Sequence, residues 1–237
     1  MMNELIVTLD GPAGSGKSSV ARMLAKRLGV DFLDTGAMYR GLTAVCVDNG
    51  IDPAADPDAA GKMAQRTELH FDWKTDPPRL YAGEQDLTPR LRDADVTGRV
   101  SQLAAIAAVR HVLVESQRRI GKDHPRLVTE GRDQGSVVFP NAQVKFYLDA
   151  SAEVRARRRA DQLREAGREA DEQQILKEIQ TRDHRDSHRT EAPLICPEDA
   201  IHLDTSDMTL DQVVQWLEEQ VAKRREGNGC STATAGE

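Results

Sequence analysis

The stretch Thr8–Ser19, TLDGPAGSGKSS, decides the fold. Gly11, Gly16, Lys17 and Ser18 satisfy GxxxxGK[ST], a pattern in which glycines let successive backbone amides turn inward around phosphate oxygens. The lysine brings a full positive charge to the β and γ phosphates, and the serine hydroxyl is placed to hold Mg2+. The run ELIVTL before the loop reads as a strand, and KSSVARMLAKRL after it reads as an amphipathic helix whose positive N-terminal end adds to the attraction for anions. Gly11, Pro12, Ala13, Gly14, Ser15, Gly16, Lys17, Ser18 and Ser19 are therefore expected to line a nucleoside triphosphate site. The loop alone does not say where the phosphate goes.

Working outward, short apolar runs predict further strands at Asp31–Leu33, Leu127–Thr129, Val144–Leu148 and Ala200–Leu203 beside Leu5–Leu9. Helical patterns lie at Lys17–Leu28, Ala37–Asn49, Ala94–Arg119, Ala152–Glu165, Asp171–Arg185 and Leu210–Lys223. The alternation predicts an α/β fold of the P-loop NTPase kind, a parallel sheet with helices on both faces. Residues 62–97 break it, reading as strand, turn, strand, turn, strand, a small antiparallel insertion. The expected organisation is a core of 1–61, 98–153 and 171–226, the insertion at 62–97, a lid at 154–170 and a disordered tail at 227–237.

A chain of 237 residues suffices for one core with insertions. Its formal charge of -7 argues against a general nucleic-acid binder, whose affinity comes from surplus Lys and Arg. Cys46, Cys196 and Cys230 are far apart and form no CxxC pair, so neither a disulfide framework nor a thiolate metal site is expected. No segment approaches a membrane span or a signal peptide, and a cytoplasmic protein is expected.

Open parallel sheets bind ligands at the carboxyl ends of their strands, and cationic residues cluster there. LDTGAMYR places Arg40 after the second strand, and TEGRDQGSVVFP sets Arg132 beside Asp133 after the third. In TRDHRDSHRTEAPL, Arg182, Asp186 and Arg189 fall at spacings that share one helix face. Arginine suits the task because its planar fork binds phosphate or a base edge in bidentate fashion. His184 and His188, also at helical spacing, read as surface residues, and a capping role for Asp34 is as well supported as a magnesium role.

Together these segments, with VRHVLVESQR and VKFYLDASAEVRARRR, resemble the bacterial cytidylate kinases, a family of P-loop nucleoside monophosphate kinases. The resemblance covers about residues 4–220, and GRDxGxVVFP and RDxxDxxRxxAPL are its specific motifs. It implies transfer of the γ-phosphate of ATP, with Mg2+, to CMP or dCMP by a monomeric enzyme that binds neither nucleic acid nor membrane. By it, Arg40 and Arg132 hold the monophosphate with Arg182 nearby, and Thr35 and Tyr39 line the CMP site. Ser101, Arg110, Asp133 and Arg189 read cytosine, Asp186 takes the ribose hydroxyls, and Arg155, Arg158 and Arg159 open a mobile lid over ATP. Lys17, Arg132 and Arg158 are the catalytic set.

The chain departs from the family pattern at Ala107-Ala108, where a proline-containing turn is common, and at Thr181, where Glu is common. Neither removes a ligand. A GTP-hydrolysing switch is disfavoured because no Asn-Lys-x-Asp motif occurs, and a kinase of another small metabolite would have no use for the insertion. A nucleotide-binding module without activity would not need Lys17, Ser18, Arg132 and Asp133 together.

Overall fold

A computed structural model describes residues 4–165 and 167–229. The three inner strands of its main sheet are short and largely apolar because they are buried on both faces, as crossover connections require, while the two edge strands are more exposed and carry charged ends. The strands are β1 (Leu5–Asp10), β2 (Asp31–Asp34), β6 (Arg126–Glu130), β7 (Val144–Asp149) and β8 (Ile201–Asp204). They run parallel in the order β2-β6-β1-β7-β8, with β1 central and in register with both neighbours, Val7 opposite Val128 and Val144.

Alternation along β1 divides the core. Leu5, Val7 and Leu9 pack with Val20 and Leu24 of α1 (Lys17–Leu28) and with Val213 and Leu217 of α9 (Leu210–Gly229). Ile6 points the other way, joining Leu33, Leu42 of α2 (Thr35–Asp48), and Val109 and Leu113 of α6 (Ala107–Asp123). The expected sheet with helices on both faces is what folds.

The insertion forms a second sheet of β3 (Leu69–Asp72), β4 (Arg79–Ala82) and β5 (Gln85–Asp86), antiparallel throughout. It is preceded by α3 (Pro57–Arg66), which the expected boundary at residue 62 would cut. That helix carries its own start signal, Asp56 accepting from the Ala59 amide at 2.8 Å with proline at the first turn. The long helix expected over 94–119 is instead three, α4 (Ala94–Thr97), α5 (Val100–Leu103) and α6. Gly98 ends the first and extended Ile106 precedes the third, so Ser101 and Arg110 stand on different helices.

A hairpin of α7 (Ala152–Glu165) and α8 (Glu172–His188) packs on itself through Ala156, Ala160, Ile175 and Ile179. Helix α9 continues to Gly229, through the first three residues of the expected tail; residues 230–237 lie outside the described residues. Among the described residues no helix is long and apolar enough to cross a membrane.

Candidate active site

All five parallel strands end in a carboxylate, Asp10, Asp34, Glu130, Asp149 and Asp204, and the phosphate loop opens over this edge. Gly11, Gly14 and Gly16 have φ of 145°, 77° and 85°, values that side chains rarely adopt. At Gly11 there is also no room, since a Cβ there would stand 2.0 Å from the Leu148 carbonyl oxygen. The loop thus lies against β7, and Gly16 in left-handed conformation starts α1 with no side chain capping its amides.

Lys17 is buried, and its Nζ donates to the Pro12 carbonyl at 2.6 Å and to Ser15 Oγ at 3.1 Å. Burial, with Arg132 adding repulsion, pushes its pKa down to about 7. Beside it Ser18 Oγ donates to Glu130 Oε1 at 2.7 Å. Burial and the neighbouring Asp34 raise Glu130 to about 7. Asp34 caps α2, accepting from the Ala37 amide at 2.8 Å, and its second oxygen accepts from Arg40 at 2.8 Å. Burial opposes that charge, but Arg40 prevails and holds Asp34 below the usual carboxylate range.

On the other side of the loop, Arg132 Nε donates to Asp186 Oδ2 at 2.9 Å, and Arg182 lies 3.9 Å from the same oxygen. Burial and then Arg132 lower Arg182 to about 10. Asp133 and Arg110, each about 5% exposed, form an ion pair, and the Arg110 guanidinium lies 5.8 Å from the centre of the Tyr39 ring. Arg189 donates through Nε to the Ala192 carbonyl at 2.6 Å. Burial and the nearby Arg110 lower its pKa. Thr35 donates to the Glu130 carbonyl at 2.7 Å, tying the start of α2 to the end of β6.

The residues expected around a monophosphate converge, and several are left short of partners. Among the described residues, Tyr39 Oη, Arg40 Nε, Arg182 Nε and Arg189 Nη2 are buried with no hydrogen-bond partner. An unmet buried polar group costs about 1–3 kcal/mol. Four of them gathered on one group of residues mark a place built for something polar.

The expected lid arginines are distributed differently from the expectation. Arg155 is buried as a fastener, donating to the Ala150 and Ala13 carbonyls at 2.8 Å each and to Asp183 Oδ2 at 2.6 Å. Asp183 returns to the loop by accepting from the Ala13 amide at 3.2 Å. Arg158 donates to the Thr205 carbonyl at 2.6 Å, away from the loop. Burial and then Arg92, with Arg168 and Arg40 adding, lower the pKa of Arg159. Arg92, from the end of a 3-10 turn in the insertion, and Asp183 were not singled out in the sequence. Asp183 sits inside the motif RDxxDxxR, which offered that signal.

A family model described as cytidylate kinase matches residues 7–223. The chain belongs to the cytidylate kinase family. It is 46% identical over 226 residues to a cytidylate kinase of Mycobacterium avium, covering 95% of this chain and 99% of that one. It is 41% identical to a cytidylate kinase of Streptococcus thermophilus, covering 94% and 98%. A solved structure from Eubacterium ventriosum superposes with a TM-score of 0.50 at 12% identity, over 93% of this chain and 99% of that chain, a likeness of fold alone. Membership in the cytidylate kinase family makes the chain a phosphotransferase of P-loop architecture, and gives the two halves of the site a reason to adjoin.

Proposed function

We propose that this enzyme transfers the γ-phosphate of ATP to CMP, and to dCMP, giving ADP and the nucleoside diphosphate. The observation that carries the reading is the set of unpartnered donors on Tyr39, Arg40, Arg182 and Arg189, standing next to a phosphate loop with Lys17 and Ser18 in place. Arg40, Arg132 and Arg182 take the acceptor phosphate. Asp133, held by Arg110, accepts from the exocyclic amine of cytosine, where the carbonyl of uracil would offer only another acceptor. Ser101 and Arg189 complete the base contacts, and Asp186 takes the ribose hydroxyls.

An oxygen of the CMP phosphate forms a bond to the γ-phosphorus as the bond from that phosphorus to the β-γ bridging oxygen breaks, and ADP carries the electron pair away. The acceptor is already an anion, so no general base is needed; alignment and charge neutralisation suffice. Lys17, Arg132 and the lid arginines supply the positive charge, Arg158 by leaving the Thr205 carbonyl when the lid closes and excludes water. Arg155 acts from where it stands, by holding the loop.

The oxygen donors fit Mg2+, which takes one or two protein ligands and completes its shell with phosphates and water. Ser18 would hold it, with Glu130, 2.7 Å from Ser18 Oγ, receiving a bound water. When bound, the ion neutralises charge on the β and γ phosphates. The β3–β5 insertion and the lid at 154–170 close over CMP and ATP. The enzyme acts as a monomer in the cytoplasm.

The acceptor is tested by supplying ATP, Mg2+ and each nucleoside monophosphate in turn. CMP and dCMP should be phosphorylated at least about a hundredfold faster than UMP or AMP in kcat/KM, since misplacing a buried polar group at a base-reading site costs about 3 kcal/mol or more. Faster use of UMP or AMP would show that the base contacts are wrongly assigned.

A second expectation concerns protons. With a pKa near 7, Lys17 is mostly neutral at pH 8 before ATP arrives. A bound triphosphate favours the charged amine and raises that pKa, so binding takes up protons from solution. Glu130, also near 7, is mostly ionised at pH 8 and has little to release. Calorimetric titration with MgATP in buffers of different ionisation heat should show net uptake, lost in Lys17→Met. Net release by the unaltered protein would contradict this account of the lysine.

A further inference from the structure

We propose that Asp10 is a positioning residue that clamps the acceptor loop to the root of the phosphate loop, and thereby sets CMP affinity and the discrimination against UMP. The inference rests on the acceptor assignment above. Asp10 closes β1 and immediately precedes Gly11, and it is 1% exposed. Its carboxylate meets neither solvent nor a cation at contact distance. Oδ1 accepts from the Gln134 amide at 2.8 Å and Oδ2 from the Gly135 amide at 2.7 Å.

These amides follow Arg132 and Asp133 directly and open the π-helical turn Gln134–Val138. The residue before Arg132 is fixed as well, the Gly131 amide donating to the Leu9 carbonyl at 3.0 Å. Arg132 and Asp133 therefore occupy a two-residue bridge whose ends are both fastened to the last two residues of β1, one by a ladder bond and the other by the Asp10 carboxylate. The strand that fixes this bridge is the strand from which the phosphate loop springs. Donor and acceptor halves thus share one rigid origin, and a displacement of about 1 Å in such an arrangement is enough to cost a large factor in rate.

The far end of the bridge has other anchors, but on a different side. Gln134 Oε1 accepts from Thr129 Oγ1 at 2.9 Å, and its Nε2 donates to Gln117 at 3.1 Å. These hold the side chain of Gln134 and Phe139 holds its carbonyl, leaving its backbone amide to Asp10. Gly135 sits so close that a Cβ there would lie 2.9 Å from Thr8 Oγ1 and 3.4 Å from Asp10 Oδ2. Only a carboxylate, which accepts at both oxygens, satisfies two adjacent amides in this way.

Asp10→Asn keeps the shape but offers one acceptor and sets an NH2 group against the other amide. Losing a charge-assisted bond of this kind should raise KM for CMP about tenfold or more and reduce the CMP-over-UMP ratio of kcat/KM by a similar factor, with KM for ATP changed less than about twofold. Gly135→Ala crowds the same contact, its Cβ meeting Thr8 and Asp10, and should give the same split; if Asp10→Asn does not fold, it carries the test under the same criteria. A merely structural role would lower the folded fraction and kcat while leaving the CMP-over-UMP ratio intact. An unchanged ratio, or KM for ATP rising in step with that for CMP, would overturn the proposal. If the unaltered enzyme does not phosphorylate CMP, the functional reading fails; if it does and the variants keep its selectivity, only the role of Asp10 fails.

Discussion

Lys17→Ala lowers kcat by roughly a thousandfold or more while CMP still binds, because it deletes the one lysine charge that the loop aims at the transferring phosphate. That amine is buried against the Pro12 carbonyl and Ser15 Oγ, with its pKa pushed down to about 7 by burial and Arg132. It contributes little to folding as a charge, so thermal unfolding of the variant should stay within a few degrees of the parent. The pattern to look for is a collapse of turnover with intact fold and measurable CMP affinity. Turnover retained within about tenfold would remove the role given to the loop.

Asp133→Ala strikes the other half. The carboxylate is buried against Arg110, and its removal leaves a buried guanidinium without its partner, a change that costs about 3–5 kcal/mol of stability. It also deletes the acceptor for the cytosine amine. Assayed well below its melting temperature, the variant should lose about a hundredfold or more in kcat/KM for CMP, with ATP binding near normal. UMP use should fall much less, so the two pyrimidines converge. Equal loss of ATP and CMP binding would mean that Asp133 only holds the fold.

Most of the frame was legible in the sequence because buried parallel strands and the helices between them leave strong local signals. Strands β1, β2, β6, β7 and β8 fall within a residue of their expected ends, and α1 and α7 match at both. The broken helix at 94–119 was not legible, because apolar spacing runs through the breaks and only Gly98 marks one of them. The π-helical turn after Asp133 leaves no local pattern at all, since the amides that open it are satisfied by Asp10, more than a hundred residues away in the chain. The same holds for Arg155. Resemblance to the family placed it in a lid over ATP; its bonds to Ala13, Ala150 and Asp183 left no trace in the sequence because tertiary packing sets a basic residue's partners.

In the site, the loop pattern pointed to Lys17 and Ser18, position after a strand pointed to Arg40, Arg132 and Asp133, and the helix periodicity of Arg182, Asp186 and Arg189 was visible as a shared face. Their roles came from resemblance to the cytidylate kinases. The structure adds the geometry that makes those roles physically coherent: Asp186 between Arg132 and Arg182, Asp133 against Arg110, and four donors still waiting for a partner.

The central claim is that the donor loop and the arginine group form one site in which a phosphoryl group moves between two nucleotides. It is tested most directly by incubating the protein with ATP labelled at the γ-phosphorus, Mg2+ and CMP, and following the label. The account predicts label in the β position of CDP, with negligible free phosphate while CMP is present. Label appearing chiefly as inorganic phosphate, with CMP unchanged, would contradict it.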